Sequence, residues 1–523
     1  MASPDTPLVN LTIEGRAVSV PAGTSILEAA KTVGVLIPHY CYHPSLPIPA
    51  LCRMCLVDVE KAPKLAPACA TAVAEGQVVT VHNEKARAAR TGVLEMLLIN
   101  HPLDCPICDQ SGECELQDYT YAEGRADSRY KEPKRFNPVE DFGGDVLYVP
   151  NRCILCTRCV RFMEDVAKEP VLNVSERGDR AYIGVFEGKG MTHAWAGNVV
   201  DLCPVGSLLS KDFLNKARAW ELDRTASICP GCTQGCNTIV ETRDNVVMRF
   251  KPRPNDDVNR YFMCDYGRST YRELNRPDRV DMPMVVGNGG LATGSWDQAI
   301  AAAASALRGK KVFVLASPGL SNEALHLLAR IVKKQGGAGA YRVERGQEAP
   351  LAGVPDLSLR AERAANVRGA ELFGFGESDS PLTALTREDV LIVADHAMTP
   401  SDITHASRAA AVIVIGTTIV EGLGNVAAIL PIANMAEEEG TFTNVRGRVQ
   451  RFLQAKVAPG EARPSWSVLA DLLGAIGESA QYYTAGAVFA SAASSHSDFK
   501  GLSYDKLGLR GLPVLSAQPA GAA

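Results

Sequence analysis

Beyond Cys264 the chain has no cysteine: all 15 lie between Cys41 and Cys264, and residues 265–523 have none. A thiolate-held metal is therefore excluded from that stretch. The 15 are odd in number and sit in tight C-x2-C groups with no secretion signal ahead of them. Such usage argues for metal or cluster sites over a disulfide scaffold. The chain also lacks a G-x-G-x-x-G fingerprint and a G-x-x-x-x-G-K-[ST] loop, so no nucleotide site of its own is read. "GKG" at 188–190 and "GNGG" at 287–290 are turn-like. Basic excess is missing too: the net charge is −5, unlike the basic stripe of a nucleic-acid binder. No long apolar run occurs. The longest, "AAVIVIGTTIVEGLGNVAAIL", is broken by Glu421 and glycines, and predicts a buried strand plus a loop rather than a membrane span. Any membrane association is then expected to run through partners. "MASPDTPLVNLTIEG" has neither a basic-then-apolar signal nor an arginine-rich transit pattern, so no targeting peptide is expected.

What is present is ordinary in bulk and unusual in spacing. Hydrophobic content is 46% and charged content 22%, as in folded proteins, and 523 residues predict roughly three or four domains. In "VNLTIEGRAVSVPAGTSILEAAKTVGV" two alternating runs flank an "EG" turn, and a helix is expected from about Thr24. This opening resembles the plant-type ferredoxin fold, a small curved sheet grasping one helix. Cys41, Cys52, Cys55 and Cys69 follow as C-x10-C-x2-C-x13-C. Four thiolates suit a [2Fe-2S] cluster, two per iron, with structural zinc as the alternative. The long, proline-rich first gap suits a stiff loop and marks a relative of the plant group rather than a member.

"HPLDCPICDQSGEC" offers only three cysteines: His101, Cys105, Cys108 and Cys114 read H-x3-C-x2-C-x5-C. The preceding "EKARAARTGVLEMLLINH" predicts an amphipathic helix, with Val93, Leu94, Leu97 and Leu98 on one side, delivering His101 where Pro102 stops it. Imidazole is a legitimate iron ligand, and its neutrality should raise the potential. After a charged, aromatic linker, "YTYAEGRADSRYKEPKRFNP", comes "NRCILCTRCVRF", with Cys153, Cys156 and Cys159 in the C-x2-C-x2-C pattern of bacterial ferredoxins. The distant Cys-Pro such motifs use is Cys203 in "DLCPVGSLLS", giving a single [4Fe-4S] set. Cys229, Cys232, Cys236 and Cys264 complete a last set. "NTIVETRDNVVMRFKPRP" predicts a hairpin with a D-N turn that could return Cys264 to the other three. Zinc is again the alternative. With three sets complete, no cysteine remains for the fourth, and His101 becomes its expected ligand. His39 and His43 flank the first set in structural or supporting roles, and His82 lies farther off. Asp104, Asp109, Glu113 and Glu115 read equally as a solvated acidic loop or as proton-transfer groups.

The later half reads as α/β. "KKVFVLASP", "DVLIVAD" and "AAVIVIG" predict parallel strands, with a helix in "SNEALHLLARIVKK", over about 290–480. "ASAASSHSD" and "LSAQPAGAA" are expected to be loop or tail.

Residues 8–270 resemble the large iron-sulfur subunit of respiratory complex I, NADH-quinone oxidoreductase (the G subunit in bacteria, the 75-kDa subunit in mitochondria). The resemblance rests on "YCYHPSLPIPALCRMCLVDVE", "NHPLDCPICDQSGECELQD", "NRCILCTRCVRF", "DLCPVGSLLS" and the last cysteine set. "EEEGTFTNVRGRVQRF" at 437–452 resembles that subunit's molybdopterin-oxidoreductase-like domain. The resemblance implies an α/β multidomain chain. A [2Fe-2S] ferredoxin-like β-grasp domain would occupy 1–85, a [4Fe-4S] segment with one histidine and three cysteines 86–125, and a ferredoxin-like [4Fe-4S] region 126–220. A molybdopterin-oxidoreductase-type [4Fe-4S] domain over 221–280 and a shortened α/β domain without a molybdenum site over 281–523 would follow. It implies one [2Fe-2S] and three [4Fe-4S] clusters, no molybdopterin, and FMN and NADH on a partner subunit. Expected partners are the flavin/NADH-binding subunit, a two-cluster [4Fe-4S] subunit and the quinone-site subunits. The expected place is the peripheral arm, on the cytoplasmic side of a bacterial inner membrane. The function implied is electron relay from flavin toward quinone, with the last set off the main path. The alternatives are a subunit of an NAD-linked formate dehydrogenase, which needs a metal-ligating cysteine beyond Cys264, or of a hydrogenase, which needs further cysteines.

Overall fold

Alternation folds the first segment. Leu11 and Ile13 in strand Leu8–Ile13, and Val18 and Val20 in strand Arg16–Pro21, are all buried while their neighbours are not. The strands pair antiparallel across Glu14 and Gly15, both at positive φ (48° and 73°), the left-handed pair whose twist matches a hairpin. A computed structural model of the chain describes residues 6–287 and 290–517. It divides into one unit of Met1–Glu221 with Leu351–Pro355, and a second of Leu222–Pro350 with Asp356–Ala523.

In the first unit a five-stranded sheet runs Arg16–Pro21, Leu8–Ile13, Val78–Thr80, Leu56–Val59, Ala66–Pro67 in space. Helix Ile26–Thr32 starts at Ser25, whose hydroxyl accepts the Glu28 N–H at 3.2 Å, and buries Ile26, Leu27, Ala29 and Ala30 in the sheet's core. Helix Glu84–Leu98 begins at the Asn83 cap; Leu94 is buried and Val93, Leu97 and Leu98 half-buried, the expected apolar side. It ends at Leu98, so a short irregular stretch, not the helix itself, presents His101. The expected linker at 119–138 starts inside a helix, Glu115–Glu123, because Leu116 packs into the core and draws the turn after it into order. Only 124–138 is irregular.

The second unit opens with three antiparallel strands, Asp223–Ile228, Asn237–Arg243 and Val246–Pro252. The D-N turn is present: Asp244 and Asn245 sit at φ 51° and 63°. Its large sheet runs Gly290–Thr293, Met284–Gly287, Val426–Pro431, Ala411–Gly416, Val390–Ala394, Val312–Ala316, Ala338–Tyr341, Gly376–Glu377. The last six are parallel, and Met284–Gly287 is antiparallel to both its neighbours. Both faces are covered: Val390, Ile392 and Ala394 join one core and Leu391 and Val393 the other, hence a continuous apolar run rather than alternation. Helix Asn322–Gln335 provides the crossover expected there.

Two expectations fail. "AAVIVIGTTIVEGLGNVAAIL" is not one strand and a loop but two parallel strands with a loop between them, because Val426–Pro431 pairs beside Ala411–Gly416. "ASAASSHSD" is not a tail: residues 490–495 end helix Ala485–Ser495, which Thr484 caps and which buries Val488, Phe489 and Ala492. Alanine is a good helix former, and here it lies on a core rather than in solvent. "GKG" is turn-like, with Gly188 at φ 73°. "GNGG" and "LSAQPAGAA" fall partly on residues 288–289 and 518–523, outside the described residues. Among the described residues no helix is long and apolar enough to cross a membrane.

Two carboxyls are buried in this unit. Glu323 accepts from the Thr441 N–H and hydroxyl, both at 2.9 Å, and from the Tyr504 hydroxyl at 2.8 Å. Glu438 accepts from the Ser465 N–H at 2.6 Å and its hydroxyl at 2.9 Å. Burial outweighs these bonds and raises Glu323 to about 7 and Glu438 to about 8. Folded-state values above the unfolded one mean the native state keeps protons that the unfolded chain has released. This contribution to stability is complete below about pH 4 and is lost as pH rises through the folded values. Urea midpoints should fall as pH rises from about 5 to about 8, and Glu438→Gln should flatten the slope by roughly 1 kcal/mol per pH unit. A slope unchanged in the variant would show that Glu438 ionises normally.

Candidate metal centres

Cys41, Cys52, Cys55 and Cys69 lie on loops beside the first sheet, with Ala50 and Arg53 at positive φ (51° and 58°) curling the chain around Cys52. Their thiols meet in two pairs. Cys41 donates to Cys52 and Cys69 to Cys55, which pushes the donors up and pulls Cys52 down to about 5. Two pairs of sulfurs are what two irons with two thiolates each require. His39 Nδ1 lies 2.7 Å from the Ile37 carbonyl, and His43 Nδ1 accepts the Ser45 N–H at 3.2 Å, so both rings serve the loop. His82 is exposed.

A strand pairing assembles the next set. Val146–Tyr148 and Leu208–Ser210 are antiparallel with Tyr148 opposite Leu208. Cys153 follows the first strand and Cys203 precedes the second, at the same end of this pair. Leu155 and Thr157, between the cysteines, take φ of 53° and 59°, folding the C-x2-C-x2-C loop so that the Leu155 N–H reaches Cys153 Sγ at 3.4 Å. Cys153, Cys156, Cys159 and Cys203 line one cavity, walled by Tyr148, Ile154, Ile183, Val205 and Leu208. Burial pushes Cys153 and Cys203 up to about 11 and Cys156 to about 12. Such thiols ionise only against a strong compensating charge, which iron supplies.

The three-cysteine set lies alongside. His101 Nδ1 is buried and has no hydrogen-bond partner. Burial first, then the Arg152 and Lys134 charges, lowers the ring to about 4, so it is neutral at pH 7, the form that ligates metal. Cys108 is buried, Cys114 half-buried and Cys105 exposed. The Glu115 N–H donates to the Pro204 carbonyl at 3.0 Å, tying Cys114 to the Cys203 loop. Gly206 allows the closest approach: a Cβ there would collide with Cys108 Sγ.

Three arginines beside the central cysteines, which spacing alone does not single out, bind these loops together. Arg152 donates to Asp104 Oδ2 at 2.9 and 3.0 Å. Arg158 donates to both Glu115 oxygens, at 3.2 and 3.3 Å, and to the Tyr42 carbonyl at 2.9 Å. Arg161 donates to the Cys41 carbonyl at 2.6 Å. All three are buried. Their signal is present in "NRCILCTRCVRF", where each arginine stands next to or two residues from a cysteine. The acidic residues are accordingly not a solvated loop: Asp104 and Glu115 pair with arginines, and buried Asp109 accepts the Asn215 N–H at 3.0 Å. One apolar cluster joins the three sets, holding Tyr40, Cys41, Met54, Leu94, Leu116, Cys156 and Val205 with Cys52, Cys114 and Cys203 against it.

In the second unit Cys229, Cys232, Cys236 and Cys264 are all buried. The Cys229 N–H donates to the Cys236 carbonyl at 2.8 Å. Asn237 and Asn259, joined through the Asn237 N–H at 3.0 Å, hold the Cys236 strand to the loop before Cys264. Backbone N–H groups of Gly231 and Gly267 point at Cys229 and Cys264 sulfurs, at 3.4 and 3.3 Å. Four buried thiols are a donor set for either a zinc ion or an iron-sulfur cluster.

Family profiles match the same segments in order. Residues 6–84 match a 2Fe-2S iron-sulfur cluster binding domain, and 90–129 the NADH-ubiquinone oxidoreductase-G iron-sulfur binding region. Residues 143–209 match the ferredoxin-like domain of NADH-quinone oxidoreductase subunit 3. Residues 222–276 match the molybdopterin oxidoreductase Fe4S4 domain, and 384–475 molybdopterin oxidoreductase. The NADH-ubiquinone oxidoreductase 78 kDa subunit, mitochondrial, of Candida albicans is 45% identical over 57% of this chain and 42% of its own length. The NADH-quinone oxidoreductase G subunit of Rickettsia bellii is 39% identical over 63% of this chain and 49% of its own. Over these segments the chain is similar to NADH-quinone oxidoreductase G subunits. It spans no more than about half the length of these curated relatives. A chain of an NAD+-reducing [NiFe]-hydrogenase in the H2-reduced state is 30% identical over 40% of this chain and 90% of its own, with a TM-score of 0.37 that carries no argument.

Gly206→Ala tests the packing. The added methyl must displace Cys108 Sγ. Loss of one four-iron signal in electron paramagnetic resonance (EPR), with the two-iron signal kept, is expected; full iron content and an unchanged spectrum would contradict it.

Proposed function

We propose that this chain is the iron-sulfur electron-relay subunit of a proton-pumping NADH-quinone oxidoreductase, passing electrons from a flavin subunit toward quinone. The observation that carries the reading is an apolar cluster of the first unit in which ligand residues of three sets pack together. When bound, iron-sulfur clusters supply one-electron transfer at potentials set by ligand type, burial and hydrogen bonding. Cys41, Cys52, Cys55 and Cys69 hold a [2Fe-2S] cluster. His101, Cys105, Cys108 and Cys114, then Cys153, Cys156, Cys159 and Cys203, then Cys229, Cys232, Cys236 and Cys264, hold three [4Fe-4S] clusters. The neutral His101 imidazole in place of a thiolate makes its set the less anionic. The apolar walls around Cys153, Cys156, Cys159 and Cys203 limit water at those sulfurs, and Arg152, Arg158 and Arg161 fix the loops so that little reorganises as charge changes. FMN and NADH belong to a partner subunit. The two-cluster [4Fe-4S] subunit and quinone-site subunits are further partners, in the peripheral arm on the cytoplasmic side of a bacterial inner membrane. The α/β part, a shortened molybdopterin-oxidoreductase-like domain over 281–523, holds no molybdenum. The division at 1–85, 86–125, 126–220 and 221–280, with a β-grasp first domain, belongs to the same reading.

Two experiments test it. Assembled with its flavin-bearing partner, the chain should show reduced-cluster signals on addition of NADH; centres that stay oxidised would defeat the relay. His101→Ala should abolish or alter one EPR signal and leave the other three, whereas an unchanged spectrum and iron content would remove His101 from the ligands.

A further inference from the structure

Arg161 differs from the arginines beside it. Arg152 and Arg158 are each neutralised by a carboxylate, Asp104 and Glu115. Among the described residues no carboxylate lies within ion-pair distance of Arg161, although its side chain is buried. Every donor it uses instead reaches a neutral oxygen. Nη2 donates to the Cys41 carbonyl at 2.6 Å and to the Cys156 carbonyl at 3.2 Å, Nη1 to the Pro47 carbonyl at 2.6 Å, and Nε to the Thr157 hydroxyl at 3.2 Å. One nitrogen thus bridges a ligand residue of the first set and a ligand residue of the second.

An unpaired positive charge in a low-dielectric interior acts strongly on whatever negative charge is near. Reduction of an iron-sulfur centre adds one electron, and hydrogen bonding and local charge set how readily it is accepted. We propose that Arg161 is a positioning residue shared by two centres: it ties the Cys41 loop to the Cys156 loop and makes the centre on Cys41, Cys52, Cys55 and Cys69 and the centre on Cys153, Cys156, Cys159 and Cys203 both easier to reduce. This rests on the cluster reading above and adds to it a residue through which neighbouring potentials rise together. A clamp of purely structural value would hold the loops and leave the potentials alone.

The test is an EPR-monitored redox titration of the full chain with dithionite as the electron donor. Each centre gains one electron, dithionite is oxidised, and no bond or proton is exchanged at Arg161. In Arg161→Gln the midpoint potentials of both centres should fall, while that of the centre on Cys229, Cys232, Cys236 and Cys264 serves as internal reference and stays. Arg161→Lys keeps the charge but cannot span both carbonyls and Pro47, so both potentials should fall by less. The proposal is overturned if either potential stays at its wild-type value in Arg161→Gln. Should that variant fail to load a cluster, Arg161→Lys decides, and no shift in either centre overturns it. A wild-type chain loaded with zinc and lacking paramagnetic signals would instead overturn the cluster reading, and the proposal with it.

Discussion

Charge buried with its partners in one low-dielectric core is the constraint on which the first unit depends. Thiols, a neutral imidazole and three guanidinium groups are withdrawn from water around Tyr40, Leu94 and Leu116. None is stable there alone. Arginine–carboxylate pairs and backbone carbonyls satisfy the cations, and on the function proposed above metal is the partner of the sulfurs and of His101. Fold and cofactor are thus one problem: the loops that carry ligands are also the loops the arginines hold, so what loosens a loop also loosens a centre.

Much of this was legible in residue order. Ligand spacing is local, and alternation with an "EG" or "DN" turn fixes a hairpin because its hydrogen bonds lie between near neighbours. The α/β half was legible for the opposite reason: strands covered on both faces, such as Val390–Ala394, become unbroken apolar runs. What stayed hidden needed partners far along the chain. Arg158 reaches Tyr42, and Gly206 makes room for Cys108, across separations that no periodicity encodes. Acidic residues looked solvated for the same reason, since their arginines lie more than forty residues away. The helix Ala485–Ser495 was missed because alanine and serine describe a tail as well as a helix until Val488 and Phe489 are seen to be buried.

The two units divide the chemistry unevenly. The first concentrates three ligand sets, whereas the second places one beside a hairpin and gives the rest to a sheet with no sulfur from cysteine in it. Its buried glutamates accept hydrogen bonds from hydroxyls and amides. Residues 384–475 match molybdopterin oxidoreductase and contain no cysteine.

Anomalous diffraction at the iron edge from crystals of the full chain tests the central claim most directly. Four iron positions should appear, at the Cys41, His101, Cys153 and Cys229 sets, the first three as near neighbours around Tyr40 and Leu116. Scattering from zinc at these positions, or iron at sites too far apart for electrons to hop between them, would contradict it.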